Sequence, residues 1–107
     1  MNNEEFNNEV EKLKKHLDVY PEDEDSYLIL GKFYFLNKKY DEAIDTYQKL
    51  LGFSNSNVSA YYNLAVAYEG KKNYKESKKS YRRILEIDKD NKEAQEALNR
   101  ITTFQGG

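Results

Sequence analysis

Residues 27–51, YLILGKFYFLNKKYDEAIDTYQKLL, and residues 61–85, YYNLAVAYEGKKNYKESKKSYRRIL, are one pattern written twice at an offset of 34 positions. Tyr27, Tyr34, Tyr40 and Tyr47 recur as Tyr61, Tyr68, Tyr74 and Tyr81, which accounts for eight of the 10 tyrosines. The same shift carries Leu30 onto Leu64, Gly31 onto Ala65, Glu42 onto Glu76, Leu51 onto Leu85 and Asn57 onto Asn91. One residue type returning four times at one offset marks a repeat protein, whose units bury their apolar faces by stacking on their neighbours.

Each unit reads as a helical hairpin. Tyr27, Leu30 and Tyr34 recur at three- and four-residue spacing and define one helix face. Asn37-Lys38-Lys39 interrupts the stripe, and a second begins with Tyr40, Ala43, Ile44, Tyr47, Leu50 and Leu51. Gly52 and Ser54-Asn55-Ser56-Asn57 are expected to end it, with Asn57 placed to cap the next helix. The flanks keep the register: shifting back by 34 lays Phe6, Leu13 and Leu17 on Tyr40, Tyr47 and Leu51, and shifting forward lays Leu98 on Leu64. The expected organisation of the single domain 1–107 is a half-repeat at 3–22, repeats at 24–57 and 58–91, a capping half-repeat at 92–104 and a tail at 105–107.

Composition narrows the class. The chain has 107 residues, 34% charged, with one proline and five glycines, which suits an almost wholly helical, solvated protein. No apolar run reaches the length of a membrane span and the N-terminus lacks the apolar stretch of a secretory signal, so cytoplasm is the expected location. Cysteine is absent, which excludes disulfides and thiolate chemistry. A net charge of −2 hides acids gathered in residues 1–26 and a basic run, Lys71 to Arg83, read here as the solvated face of a helix. With a sequence pI near 5.5, nucleic acid is not the expected partner.

No residue set carries catalysis. His16 is the single histidine, expected at a core-facing place in the first helix, and no acid–base pair stands beside a nucleophile. Glu22-Asp23-Glu24-Asp25 lacks the spaced glycine of a calcium loop and is better placed to flank a helix start, where the macrodipole favours negative charge. The chain is therefore expected to be no enzyme and to need no metal or cofactor.

Tyr27-x2-Leu30-Gly31-x2-Tyr34 followed by Ala43-x3-Tyr47, and Tyr61-x2-Leu64-Ala65-x2-Tyr68 followed by Ser77-x3-Tyr81, resemble the tetratricopeptide repeat pattern, with tyrosine in the tryptophan and phenylalanine places. Pro21 falls where that family has its inter-repeat proline, whereas Asn55 and Lys89 depart from it. The resemblance implies an all-α, right-handed α-solenoid of antiparallel hairpins with about six helices. Gly31 and Ala65 would face Ala43 and Ser77 across each hairpin, where helix axes about 8–10 Å apart leave no room for a large side chain.

In that family the first helices of successive units line a concave groove. The positions this implies are Asp25, Leu28, Lys32 and Phe35 from the first unit, Ser59, Tyr62, Asn63, Val66 and Glu69 from the second, and Glu93, Glu96 and Arg100 from the half-unit. Leu28, Phe35, Tyr62 and Val66, with Lys32 as a polar anchor, are expected to hold a protein or peptide segment at micromolar affinity. Chaperone-binding members clamp a C-terminal carboxylate through five side chains. Leu28, Lys32, Asn63, Glu93 and Ala97 stand at those places, and Asn63 alone matches. The alternative reading is head-to-tail self-association, each half-repeat completing the other between molecules through Phe6 and Leu98 or Ile101.

Overall fold

The computed structural model describes residues 1–104, so the expected tail at 105–107 lies outside the described residues. Six α-helices follow one another: α1 (Asn3–Val19), α2 (Glu24–Leu36), α3 (Tyr40–Phe53), α4 (Val58–Gly70), α5 (Tyr74–Ile87) and α6 (Lys92–Phe104). Each helix packs on the next, and α2 also meets α4, giving an all-α helical repeat fold.

Local chemistry sets the boundaries. The side-chain oxygens of Asn2, Asn57 and Asn91 accept from the backbone amides of Glu5, Ala60 and Ala94 at 2.8, 2.9 and 2.9 Å, capping α1, α4 and α6. Asn73 caps α5 in the same way through the Glu76 amide. Both hairpin turns reverse at a left-handed lysine, Lys38 with φ 60° and Lys72 with φ 62°. The next amides, of Lys39 and Asn73, return to the carbonyls of Tyr34 and Tyr68 at 2.9 Å each. Gly52 does not end its helix as expected: α3 runs through it to Phe53, because a glycine without a demand for positive φ can sit inside a helical turn.

The units are tied by the same bond three times over. Tyr27 donates to the Pro21 carbonyl at 2.8 Å, Tyr61 to the Asn55 carbonyl at 3.2 Å, and Gln95, one offset further on, to the Lys89 carbonyl at 3.0 Å. Between units, Glu24 accepts from Ser54 at 2.6 Å and from Asn57 at 2.8 Å, which holds its carboxyl below the usual range.

Inside each hairpin small residues meet. Ala43 and Ser77 are fully buried, and the Ser77 hydroxyl donates to the Ala65 carbonyl at 2.9 Å. Tyr47 lies over Gly31, and Tyr81 is wholly enclosed. The core forms two clusters: Phe6, Val10, Leu30, Tyr34, Ile44 and Tyr47 in one, Tyr81, Ile84, Ala94, Ala97 and Ile101 in the other. Helix α4 serves both, sending Leu64 and Ala67 to the first and Ala65 to the second.

Burial pushes the Tyr47 phenol up to about 12, and burial followed by the Glu69 hydrogen bond raises Tyr81 further. The fold thus favours the neutral phenols. Their contribution to stability is intact below the ordinary tyrosine value of 10.0 and is lost as pH rises through the folded values. In an alkaline titration followed by phenolate absorbance, Tyr47 and Tyr81 are expected to ionise last and together with unfolding. Early, reversible ionisation of all the tyrosines would contradict this enclosure.

The two ends differ from the interior. By the internal repeat, α1 places Glu9, Lys12 and His16 where α3 has Ala43, Thr46 and Leu50. His16 is exposed rather than core-facing, donating to the Asp23 carboxylate at 2.7 Å and resting 4.9 Å from the Tyr20 ring, because among the described residues no helix covers that side of α1. At the other end α6 carries Gln95, Asn99 and Thr102 where α4 has Tyr61, Ala65 and Tyr68. Phe6 and Ile101 are 5% and 1% exposed, so residues expected to join copies are already packed inside this chain.

Candidate partner-binding groove

A helix buried on several sides is apolar on several sides, and α2 is the clearest case. Leu30, Gly31 and Tyr34 are buried, and Leu28, Phe33 and Phe35 pack half-buried against the first core cluster. One stripe of α2 stays open. Asp25, Ile29, Lys32 and Leu36, spaced by four, three and four residues, are all exposed. Ile29 and Leu36 keep 48% and 67% of their surface in solvent. Those two were not among the expected groove residues, while Leu28 and Phe35, which were, spend much of their surface inside. The Phe35 ring lies 5.5 Å from that of Tyr40.

The corresponding stripe of α4 holds Ser59, Asn63, Val66 and Gly70. Asn63 and Val66 are half-buried, and Gly70 is small because a side-chain carbon there would stand 2.6 Å from the Tyr40 ring. A large apolar pair is therefore kept on α2 and absent from the same places on α4. That contrast between copies is the signal in the sequence that could have found Ile29 and Leu36.

Towards α6 the surface becomes polar. Tyr62, edge-on to Tyr81 with ring centres 5.5 Å apart, borders a cleft of about 370 Å³ with Glu93, Glu96, Ala97 and Arg100. Glu69 is committed internally. It accepts from the Tyr81 hydroxyl at 2.6 Å and from both terminal nitrogens of Arg100 at 2.7 and 3.2 Å, so it braces α6 on α4 rather than standing open to a ligand. Glu93 and Glu96 make no ion pair among the described residues. Of the expected set, then, Lys32 is open, Leu28, Phe35, Tyr62, Asn63 and Val66 are half-buried, and Glu69 is engaged. Among the described residues no group of three or more His, Cys, Asp or Glu is arranged to hold a metal ion, and no helix is long and apolar enough to cross a membrane.

Comparison with solved structures places the fold. The first tetratricopeptide domain of Spaghetti (RPAP3), solved with the HSP90 peptide SRMEEVD, is 23% identical over 96% of this chain and 82% of its own, with a TM-score of 0.84. The first such domain of human RPAP3 is 24% identical over 92% of this chain and 77% of its own, with a TM-score of 0.82. MamA is 23% identical over 94% of this chain, which spans 59% of the MamA chain, with a TM-score of 0.86. At these identities the likeness is one of fold. Comparison with curated protein sequences gives no significant match. Two family patterns do match the sequence itself, "TPR repeat" over residues 31–72 and "Tetratricopeptide repeat" over residues 58–91. Together they run unbroken from residue 31 in α2 to residue 91, more than half of the chain, which belongs to the tetratricopeptide repeat family.

Proposed function

We propose that this chain is a protein-interaction module that holds a short partner segment against the exposed stripe of α2 and the adjoining face of α4. The observation that carries the reading is the open pair Ile29 and Leu36, set on either side of Lys32 on a helix whose other apolar residues are at least half buried. Two large aliphatic side chains seven residues apart on one helix face match the i, i+7 spacing at which a partner helix offers its own apolar anchors. Binding, not catalysis, is the role this surface supports.

The RPAP3 domain solved with a peptide ending in EEVD offers a test of partner type. In this chain Glu93 stands where a carboxylate would need a cation, and Ala97 is 5% exposed. A peptide ending in EEVD is therefore expected to show no saturable binding. Peptides selected from a displayed library against the whole chain should instead carry apolar side chains. Replacing Ile29 and Leu36 together by serine should weaken those peptides by at least about tenfold, from the loss of two apolar contacts. Its melting temperature should hardly move, because neither side chain is buried. Selected peptides that bind the double variant as well as the parent would move the site elsewhere. A large fall in melting temperature would make the pair structural.

A further inference from the structure

A cleft of about 730 Å³ lies away from the Ile29–Leu36 stripe, between α1 and α3. Its floor is Tyr27, Leu30 and Tyr34 of α2. Glu11 and Asp18 line the α1 side, and Asp41, Glu42 and Asp45 the α3 side. Lys14, Lys15 and Lys49 also border it, but Lys49 is turned to Asp45 at 3.1 Å. Glu11, Asp18 and Glu42 make no ion pair among the described residues.

The internal repeat supplies the template for what fits here. One offset on, the matching floor is Tyr61, Leu64 and Tyr68 of α4, between α3 and α5. There the chain covers its own tyrosines. Arg83 places its guanidinium 5.8 Å from the centre of the Tyr61 ring and donates to the Tyr61 hydroxyl at 3.4 Å, while Gln48 donates to the Tyr68 hydroxyl at 3.1 Å. The counterparts in the first cleft are Lys49 and Lys14, and neither reaches Tyr27 or Tyr34. In the first cleft Leu30 and Tyr34 are only 5% and 8% exposed, so Tyr27 is the half-exposed part of the floor, and among the described residues no arginine lies over it as Arg83 lies over Tyr61. Five carboxylates border it against three lysines, and of these Asp41 is paired with Lys71.

We propose that the α1–α3 cleft is a second docking site, which takes an arginine-bearing segment of a partner protein. The arginine would lie over Tyr27 as Arg83 lies over Tyr61, with its charge near the unpaired Glu11 and Glu42 carboxylates. Arginine is favoured over lysine because its planar head stacks on a ring and donates sideways in the same pose.

The test uses the whole chain and a short fluorescent peptide alternating leucine and arginine, with lysine and glutamate counterparts. The arginine peptide is expected to bind, the lysine peptide several-fold more weakly, and the glutamate peptide not at all. The double substitution Lys14→Gln with Lys49→Arg transplants the lid of the second cleft into the first. It should keep the helical spectrum and melting temperature and weaken the arginine peptide by at least about tenfold. Glu11→Gln with Glu42→Gln, which alters only exposed carboxylates, gives an independent check and should also weaken binding. The Ile29→Ser, Leu36→Ser variant should leave this binding unchanged, separating the cleft from the groove. Equal binding of arginine and lysine peptides, or undiminished binding to both cleft variants, would overturn the proposal. So would a molecular mass that climbs with concentration, since the occupant would then be a second copy.

Discussion

Replacing Tyr81 with alanine is expected to cost about 3–5 kcal/mol, the loss typical of a large aromatic removed from an enclosed site. Tyr81 is 0% exposed and stands where three elements meet. Its ring belongs to the cluster of Ile84, Ala94, Ala97 and Ile101, its edge meets Tyr62, and its hydroxyl holds the carboxylate that Arg100 also grips. Truncation leaves a cavity between α4, α5 and α6 and frees Glu69 from one of its donors. A domain of this size has only about 5–15 kcal/mol of stability in total, so thermal unfolding should fall by more than about 10 °C. Tyr81→Phe separates the two roles. It keeps the ring and loses only the bond to a charged acceptor, for about 1.5–3 kcal/mol. A chemical-denaturation series on both variants checks this, and an alanine variant no worse than the phenylalanine variant would show that the ring is not a keystone.

Gly31→Val is expected to cost about 3 kcal/mol, at the upper end of what overpacking a filled core does. A side-chain carbon at Gly31 would stand 2.3 Å from Cε1 and 2.5 Å from Cζ of Tyr47. These are atoms of a rigid ring in a residue only 2% exposed, so the ring has nowhere to retreat. Gly52, also inside a helix, gives the opposite result for the same kind of change. Nothing lies within 4 Å of a carbon added there, so Gly52→Ala should stabilise by about 1 kcal/mol through helix propensity alone. Denaturation midpoints of the two variants should move in opposite directions. Pairing Gly31→Val with Tyr47→Leu should recover part of the loss, because the smaller side chain vacates the contested space. Strictly additive costs would show that the two residues do not oppose each other.

The contrast between Gly31 and Ala65 has a visible cause. The hydroxyl of Tyr81 is drawn to Glu69, whereas the place of Glu69 in the first unit is taken by Phe35, which offers no acceptor. Tyr47 therefore has no such tether and settles on the glycine instead.

The offset of 34 residues determined the helices, their pairing and the small residues set inside each hairpin, because these depend on spacing within one unit. The caps at Asn57 and Asn91 and the carbonyl bonds of Tyr27 and Tyr61 repeat for the same reason. The exposure of particular residues on α2 was another matter. That helix is apolar in nearly every direction, so periodicity alone does not say which apolar residues are spent on α1, α3 and α4 and which stay in water. Only stacking in three dimensions left Ile29 and Leu36 outside and took Leu28 and Phe35 half inside. The same holds for Glu69 and His16. A residue's place in the repeat is written in the chain, but its partner belongs to a neighbouring helix: Glu69 meets Arg100 across on α6, and among the described residues no helix covers the His16 side of α1.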